Sequence, residues 1–373
     1  MKLGTARRRA LEACVGATAV ALSLSVAVPA AHADGEHTRS HERADTFRQT
    51  NVVADQPGMA QLTDPSLVNA WGLASSPTSP LWVSDNGADV TTRYRGGTPG
   101  TPVTKVSVDV SIPGGAPTGQ VFNPTSRFKV RSGTTSAPAM FVFASENGTI
   151  AGWSPNVDMT HALVGFSDPN AVYKGIALVR TEDGPRLLAT NFRAGTVDVF
   201  DGAFHEKHDD DAFRDGSLPA GYAPFNVAVV DGRVLVSYAL QDSMRHDDVA
   251  GAGHGFVDEY TTEGRLVRRL VTGGALNSPW AMVVAPEHFG ELGGDLLVGN
   301  FGDGTIHAYD RETGALVATL RDAQHHALVI DGLWALRVGN GTFAGRGTLV
   351  FSAGPDGESH GLLGTLRPQH GQD

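Results

Sequence analysis

Two fifteen-residue segments of the chain align without a gap, and their repetition constrains the fold more than any other feature of the sequence. The stretch LLVGNFGDGTIHAYD runs from Leu296 to Asp310, and LLATNFRAGTVDVFD runs from Leu187 to Asp201. Seven of the fifteen positions are identical, and the two segments start 109 residues apart. A glycine-rich run that recurs in this way indicates a repeated structural unit rather than a single ligand loop.

Half of that offset recurs along the chain as the spacing of short apolar strands. Such strands begin at NAWGLA (Asn69), YKGIAL (Tyr173), FNVAVV (Phe225), PWAMVV (Pro279) and GLWALRV (Gly332). From Tyr173 onward, successive starts are 52, 54 and 53 residues apart. A more divergent copy, TGQVFN at Thr118, fills the longer gap after Asn69. The chain therefore contains six units.

These units have the pattern of β-propeller blades. Short apolar runs alternate with Gly, Pro, Asn and Asp, which is typical of many short strands joined by tight turns. A period near 50 residues with about four strands per unit matches a blade, whose sheet buries its faces only against its neighbours. We predict an all-β fold, a single six-bladed β-propeller of four-stranded blades over residues 46–368. Two β-sandwich domains are the alternative, but they would not produce a regular period.

The sixth unit offers only three strands, LWALRV, TLVFSA and LLGTLRP, before the chain ends. An unassigned strand, TFRQTNVVA (Thr46 to Ala54), precedes the first unit. We predict that this N-terminal strand pairs into the last blade and closes the ring, because closure removes two free sheet edges.

The N-terminus has the pattern of an export leader. Lys2 and three arginines (Arg7, Arg8 and Arg9) precede an apolar run that ends in the small-residue pattern AHA at Ala31 to Ala33. We predict a signal peptide over 1–33 cleaved near Ala33, a disordered arm over 34–45 and a C-terminal tail over 369–373. An uncleaved membrane anchor is the alternative, and the leader does not distinguish general from twin-arginine export. The expected location is extracellular.

The net charge and the cysteine content limit the kinds of partner and metal site that the chain can have. Without the leader the chain keeps 25 Lys and Arg against 39 Asp and Glu, a net charge of about −14, which disfavours nucleic acid and anionic lipid. The single cysteine, Cys14, lies within the leader, so the mature chain has neither a disulfide nor a cysteine-based metal site. We expect a monomer that binds a small molecule, a glycan or a protein, with no nucleic-acid partner and no membrane contact after cleavage.

Several stretches resemble a known family. DQPGMAQLTDPSLVNAWGLASSPTSPLWVSDNG (Asp55 to Gly87), FSDPNAVYKGIAL (Phe166 to Leu178) and NFRAGTVDVFD (Asn191 to Asp201) resemble a family of secreted bacterial proteins known as conserved hypotheticals. More distantly, the repeats are similar to six-bladed propellers of the NHL and gluconolactonase type. The gluconolactonase resemblance implies a divalent metal in the central channel, held by Glu, Asn and Asp.

Candidate ligand-binding residues follow from the repeats. In a propeller, the loops that lead into the first strand of each blade and out of the second lie on one face, which we call the axial face. Polar residues recur at these positions: Asn69, Asp85, Asn86, Glu146, Asn191, Asn226, Tyr238 and Asn300. Of these, Asp85, Glu146, Asn191 and Asn300 are the candidate ligands for a divalent cation such as Ca²⁺. The alternative is structural, since Asn and Asp suit turns.

Several other residues give weaker indications of a functional site. The segments HEKHDDDAF (His205 to Phe213) and SMRHDDVAGAGHG (Ser243 to Gly255) place imidazoles beside carboxylates, as in a zinc or hydrolytic site, but they lack an apolar frame and are interpreted as solvated loops. His325 and His326 are interpreted as a pair near the channel mouth. Trp71, Trp280 and Trp334 share one strand position and are predicted to pack between blades. The sequence contains no H-E-x-x-H or P-loop motif.

The leading hypothesis is a secreted binding module that recognises a small ligand, glycan or protein on its axial face. A metal-dependent hydrolase of the lactonase type, using Ca²⁺, Zn²⁺ or Mn²⁺, and a scaffold without a ligand are the alternatives. No catalytic residue is assigned.

Overall fold

The computed structural model describes residues 45–209 and 211–369, and these residues form 28 strands with two 3₁₀ turns, Asn86–Ala88 and Gly290–Leu292. No α-helix occurs in these two ranges. The predicted leader, most of the predicted arm and most of the predicted C-terminal tail lie outside the described residues. In the described part of the chain, no helix has the length and apolar character needed to span a bilayer.

The first half of the chain forms three blades, and two strands precede them. The strands before the first blade are β1 (Thr46–Ala54) and β2 (Leu62–Thr63). Blade 1 consists of β3 (Ala70–Ala74), β4 (Leu81–Asp85), β5 (Val90–Arg95), β6 (Thr104–Lys105) and β7 (Val110–Ser111). Blade 2 contains β8 (Pro117–Phe122), β11 (Phe141–Ser145), β12 (Thr149–Trp153) and β13 (Leu163–Ser167), and between β8 and β11 the hairpin of β9 (Lys129–Ser132) and β10 (Thr135–Pro138) is inserted. Blade 3 consists of β14 (Tyr173–Thr181), β15 (Gly184–Asn191), β16 (Thr196–Phe200) and β17 (Glu206–Lys207).

The second half forms the other three blades with the same antiparallel order. Blade 4 consists of β18 (Tyr222–Val230), β19 (Arg233–Leu240), β20 (Phe256–Tyr260) and β21 (Leu266–Thr272). Blade 5 consists of β22 (Pro279–Val284), β23 (Leu296–Asn300), β24 (Ile306–Tyr309) and β25 (Leu316–Thr319). Blade 6 contains β26 (Leu333–Val338), β27 (Leu349–Ala353) and β28 (Leu362–Gln369).

The ring of six blades confirms the predicted six-bladed propeller. The strands assigned from the repeats are the observed ones, including the divergent unit at Thr118, which is β8 of blade 2. The repeat that starts at Leu187 and Leu296 corresponds to the second and third strands of blades 3 and 5. The inserted hairpin β9–β10 carries no repeat signal and is absent from the sequence-based prediction.

The N-terminal strand completes the last blade. Strand β1 pairs antiparallel with β28, from Thr46 opposite Gln369 to Ala54 opposite Leu362, with one bulge between Asn51 and Val53. Blade 6 therefore takes its fourth strand from the other end of the chain, as the repeat count predicts. This pairing protects the edges that an open ring would expose.

Aromatic side chains fill the spaces between blades. Trp82 of blade 1 stacks on Phe141 of blade 2 at a centroid distance of 4.3 Å and lies 4.7 Å from Trp153. Phe47 of the closing strand stacks on Phe289 of blade 5 at 4.8 Å, and both rings are buried. The closing strand thus joins the core between blades 5 and 6 as well as the sheet of blade 6.

Small residues let the inner strands approach the axis. A Cβ atom at Gly119 would lie 2.7 Å from the backbone nitrogen of Ile176 in the next blade. At Gly72 and Gly175 it would meet Thr118 and Asn226 at shorter distances still. The first three blades therefore converge more closely than larger residues at these positions would allow.

A truncation of Phe47 tests the role of the closing strand. Phe47→Ala should lower the free energy of unfolding by about 3 to 5 kcal/mol, because it leaves a cavity between β1 and blade 5. Urea unfolding measures the loss, and Leu316→Ala, at a side chain that is 51% exposed, should change stability by no more than about 0.5 kcal/mol. A loss below about 1 kcal/mol for Phe47→Ala would contradict a closing role for β1.

Candidate functional site on the propeller axis

One position of each inner strand defines what lies on the axis. When the inner strands are aligned on Ala70, Pro117, Tyr173, Pro224, Pro279 and Leu333, it is the residue that follows each of these, and all six side chains are buried. The residues at this position are Trp71, Thr118, Lys174, Phe225, Trp280 and Trp334. Four of the six are aromatic, the residue in blade 2 is a threonine, and the residue in blade 3, Lys174, is the one that carries a charge.

The aromatic residues pack on one another across the ring. Trp71 and Trp334 stack with centroids 3.5 Å apart, and Trp280 meets both edge-on at 6.3 and 6.0 Å. Phe225 contacts Trp334 at 6.1 Å, and Phe301 stacks on it at 3.8 Å. Sequence spacing predicted that these tryptophans pack between blades. The structure instead places them at the centre of the ring, because residues from blades 1, 4, 5 and 6 meet only on the axis. We call this group the aromatic plug.

Lys174 lies against the plug and links two loops of the axial face. Its Nζ atom is 5.3 Å from the Trp71 ring centroid, and its side chain is 2% exposed. The ammonium group donates to Glu146 in the loop after β11 and to Asp247 Oδ1, at 3.2 Å, in the loop after β19. Blades 2, 3 and 4 are therefore joined by one buried cation.

Amide side chains extend this network to blades 1 and 6. Asn86 Nδ2 donates to Glu146 Oε2 at 2.9 Å. Asn69 Nδ2 donates to Asn86 Oδ1 at 3.2 Å and to Glu358 Oε2 at 2.7 Å, while its Oδ1 accepts from Trp334 Nε1 at 2.9 Å. We call these residues the axial network: Asn69, Asn86, Glu146, Lys174, His246, Asp247 and Glu358.

Burial and neighbouring charges shift the pKa values of the axial network in different directions. Burial acts to lower the pKa of Lys174, but the carboxylates of Glu146 and Asp247 outweigh it and hold that pKa above its ordinary value. Burial acts to raise the pKa of Asp247, and Lys174 with His246 brings it below the ordinary value. Burial raises the pKa of Glu358, which also faces the charge of Glu146. Lys174 is thus a permanent cation among carboxylates that differ in acidity.

Three of the residues predicted from the repeats meet in this network, namely Asn69, Asn86 and Glu146. They come from loops that lead into a first strand or out of a second strand, as the propeller geometry predicts. Their contacts run from blade 6 through blade 1 to blade 2, so these three side chains lie on the axial face.

Asp85 lies elsewhere, inside blade 1. It is fully buried, and its Oδ2 accepts from the backbone N–H of Thr92 at 2.8 Å. Burial raises the pKa of Asp85 well above its ordinary value, with a further contribution from the negative charge of Asp64. Strand alternation explains the position, because Asp85 ends β4 on the side that faces the sheet interior whereas Asn86 begins the loop. The structure therefore separates two adjacent candidate residues.

The other predicted residues stabilise single blades or pairs of inner strands. Asn191 donates to Asp198 and accepts from the N–H of Ala194, which fastens its own turn. Asn300 donates to Asp303 in the turn that follows it and to the carbonyl of Ala275 in the connection before β22. Asn226 donates to the Trp280 carbonyl at 2.7 Å and joins blades 4 and 5. Tyr238 is buried in blade 4, where its hydroxyl pairs with that of Tyr260 at 2.6 Å. Like Asp85, these four residues do not join the axial network.

The histidines differ in their positions. His205, His325 and His326 are exposed in loops, away from the axial network. His246 lies in a segment interpreted from sequence as a solvated loop, and its Nδ1 is 2.9 Å from Asp247 Oδ1. This loop reaches the axis because it is the long connection after the second strand of blade 4.

Sequence reasoning did not single out Lys174 or Glu358, and it interpreted the segment that contains His246 and Asp247 as a solvated loop. For Lys174 the signal was present, because the repeat alignment places it where four other blades have an aromatic residue. His246, Asp247 and Glu358 lie in loops of unequal length that the repeat does not align, so only the folded chain shows that they converge.

Glu146, His246 and Asp247 also form a group that suits a metal ion. One ligand atom from each lies within 4.8 Å of the others. Two carboxylates and an imidazole suit Zn²⁺ or Mn²⁺, whereas Ca²⁺ prefers about six to eight oxygen ligands. Lys174 already donates to both carboxylates, so a metal ion would have to compete with its ammonium group.

Comparison with known proteins identifies relatives over most of the chain. The Uncharacterized protein R648 of Acanthamoeba polyphaga mimivirus is 30% identical over 337 residues, which cover 86% of this chain and 80% of that protein. The chain belongs to the family of R648. A second member of the R648 family from the same virus, the Uncharacterized protein L690, is 29% identical and covers 86% of both chains. No family model matches the sequence. These relatives are viral and give no support to the expected bacterial origin.

Solved structures similar to this member of the R648 family show the fold alone. The GH93 alpha-L-arabinofuranosidase of Fusarium graminearum, solved with arabinobiose, has a TM-score of 0.51 at 12% identity and covers 86% of this chain and 97% of its own. A Bacteroides thetaiotaomicron protein of unknown function has the same TM-score and identity and covers 87% and 77%. The gluconolactonase XC5397 of Xanthomonas campestris reaches 0.42 at 18% identity, with coverage of 61% and 82%.

A double-mutant cycle tests the buried ion pair of the axial network. Lys174→Met should lower the free energy of unfolding by about 3 kcal/mol, because Glu146 is left as a largely buried charge without its partner. Glu146→Gln in the same chain should recover part of that loss. Urea unfolding of the single and double variants measures the coupling, with the exposed Lys207→Met as the control. Additive losses would contradict a direct pairing.

The raised pKa of Asp85 predicts a specific pH dependence. The folded chain keeps a proton on Asp85 at pH values where the unfolded chain has released it, so this residue lowers stability as pH rises above about 4. Asp85→Asn removes that loss. The free energy of unfolding of the variant minus that of the natural chain should therefore increase from pH 4 to pH 7. Unfolding at several pH values measures the difference, and the exposed Asp183→Asn is the control. Parallel pH profiles for Asp85→Asn and the natural chain would show that Asp85 ionises normally.

Proposed function

We propose that the protein is a binding module that holds a small, neutral, hydroxyl-rich ligand, such as a glycan, over the axial network. The observation that carries this proposal is the position of Lys174, a buried cation on the axis that is tied to loops of two other blades. The ammonium group of Lys174 holds these two loops in place, so their polar atoms are kept in a fixed arrangement for a ligand. We propose further that the protein acts outside the cell after loss of the leader over 1–33.

The mixture of donors and acceptors supports a hydroxyl-rich ligand. Asn86 and Lys174 are hydrogen-bond donors, and the carboxylates of Glu146, Asp247 and Glu358 are acceptors. A hydroxyl group donates and accepts at once, so it can pair with either kind. Side-chain exposure increases from 2% at Lys174 to 13% at Glu146 and 66% at Asp247, which gives the network a buried floor and an accessible outer edge.

The charge balance supports a neutral or cationic ligand over an anionic one. Glu146 and Asp247 together exceed the single positive charge of Lys174, and Glu358 adds negative charge when it ionises. An anion would meet net repulsion at this face. Phe301, a partly buried ring stacked on Trp334, adds an apolar surface near Asn69, which bonds the same tryptophan. Aromatic surface beside a few convergent polar groups is typical of small-molecule sites.

The grouping of Glu146, His246 and Asp247 favours a second candidate function, a metal-dependent hydrolase. Three protein ligands with an open position resemble the ligand number of catalytic zinc sites. A bound Zn²⁺ or Mn²⁺ would polarise a substrate carbonyl or activate water. In this case Lys174 would neutralise charge that develops on the substrate rather than pair with both carboxylates.

Thermal-shift titrations distinguish these functions. We expect that at least one of a panel of neutral mono- and disaccharides raises the melting temperature of the metal-free protein, because a ligand that binds only the folded state stabilises it. The shift should disappear in Glu146→Gln and Asp247→Asn. Glu182→Gln, an exposed glutamate remote from the axis, is the control and should keep the shift.

Other results of these titrations would support other functions. If no saccharide shifts the melting temperature but Zn²⁺ or Mn²⁺ does, and Glu146→Gln and His246→Ala remove that effect, the metal-dependent hydrolase replaces the binding module. A protein that responds to neither saccharides nor metals would contradict both functions and favour a scaffold.

A further inference from the structure

The propeller axis contains a cavity on the side of the aromatic plug opposite the axial network. Its volume is about 480 Å³, and the inner strands of all six blades line it. The lining runs from Trp280 of the plug to the C-terminal ends of these strands, at Val230 of blade 4, Val284 of blade 5 and Arg337 of blade 6. The cavity is therefore a channel with one closed end. We call it the lower channel.

Most of the residues that line the lower channel are apolar, although polar atoms form about half of its exposed wall. The apolar residues include Leu73, Val121, Ile176, Val229 and Met282, each from a different blade. Val229 lies near the end of β18, the inner strand of blade 4, and is 42% exposed. It therefore places apolar surface at the mouth of the channel. A volume in the range of about 300 to 1,000 Å³ with mostly apolar walls is typical of small-molecule sites.

Two polar side chains that line the lower channel lack a full set of partners. Gln120 is 7% exposed, and its Nε2 donates to the Gly72 carbonyl at 2.7 Å, whereas Oε1 accepts from none of the described residues. A buried amide oxygen without a donor costs free energy unless a ligand or water supplies one. This orphaned acceptor is an indication of a missing ligand that is independent of the apolar wall.

Arg337 is the second such residue. Its Nε and Nη2 atoms donate to the hydroxyl and carbonyl oxygens of Ser75 at 3.1 and 3.0 Å. No carboxylate in the described ranges pairs with its guanidinium group, and burial lowers its pKa without any offsetting negative charge. Asp231, which also lines the channel, pairs with Arg311. Arg337 is therefore an unpaired cation beside an apolar wall.

We infer that the lower channel binds a small amphipathic anion, with its apolar body between the inner strands and its carboxylate against Arg337. Arg337 favours a carboxylate, because a planar guanidinium group offers donors in a geometry that matches two carboxylate oxygens. The site differs from the axial network in position and in charge preference. The aromatic plug lies between them, and the axial network disfavours anions.

Gln120 limits the ligand further. Its free Oε1 can pair only with a donor, so a hydroxyl or amide group on the apolar body would satisfy it. A hydroxylated carboxylic acid with an apolar chain combines the three features that the channel offers: apolar wall, cation at the mouth and acceptor in the wall.

Isothermal titration calorimetry with sodium octanoate, 1-octanol and 3-hydroxyoctanoate as probes tests the inference on the full chain. We expect octanoate to bind and 3-hydroxyoctanoate to bind more tightly. Arg337→Gln should weaken octanoate binding at least about tenfold and leave 1-octanol nearly unchanged, because only the charged contact is lost. Arg346→Gln, at an exposed arginine of the same blade, is the matched control and should bind like the natural chain.

A second variant separates loss of the site from loss of the fold. Val229→Trp should block the mouth of the channel and abolish binding of all three probes while the melting temperature stays close to that of the natural chain. Glu146→Gln should not alter octanoate binding, so failure of the axial site and failure of this site are distinguishable. Absence of octanoate binding at millimolar concentration would overturn the inference. So would octanoate binding to Arg337→Gln and Val229→Trp that is as tight as binding to the natural chain.

Discussion

The pairing of β1 with β28 is the constraint on which the rest of the structure depends. A blade buries its faces only against its neighbours, so six blades are stable as a set when the ring is closed. Blade 6 has three strands from the C-terminal part of the chain, and its fourth comes from the N-terminal part. Because Phe47 also packs on Phe289 of blade 5, closure joins the two ends of the chain through a sheet and a core at once.

Closure also determines what can lie on the axis. The inner strands meet around a centre so narrow that glycines in blades 1, 2 and 3 lie against the backbone or side chains of the next blade. Aromatic residues from four blades fill one level of this centre, and they divide the axis into two environments. On one side Lys174 pairs with carboxylates from two loops, and on the other side mostly apolar residues line the channel that contains Arg337. One repeated strand position thus separates the two sites that we propose.

Much of the fold could be predicted because it follows from periodicity. The spacing of the inner strands gives the number of blades, and the three-stranded sixth unit predicts the closing strand. The candidate site was less accessible to the same reasoning. Asn69, Asn86 and Glu146 recur at equivalent positions and could be predicted, but so could Asn191 and Asn300, which bond to residues outside the axial network. A repeat aligns structural and functional residues alike, so it cannot separate them. Lys174 is informative for the opposite reason, since it departs from the aromatic pattern of its position.

The sequence by itself determined the blade count, the strand order and the strand that closes the ring, because these depend on local periodicity and turn chemistry along the chain. Only the tertiary structure decided that the tryptophans meet on the axis, that Asp247 and Glu358 join Glu146 and Lys174, and that Arg337 pairs with no carboxylate of residues 45–209 and 211–369. Those facts depend on distances between residues from different blades. Such distances arise only when the ring closes, and no local pattern encodes them.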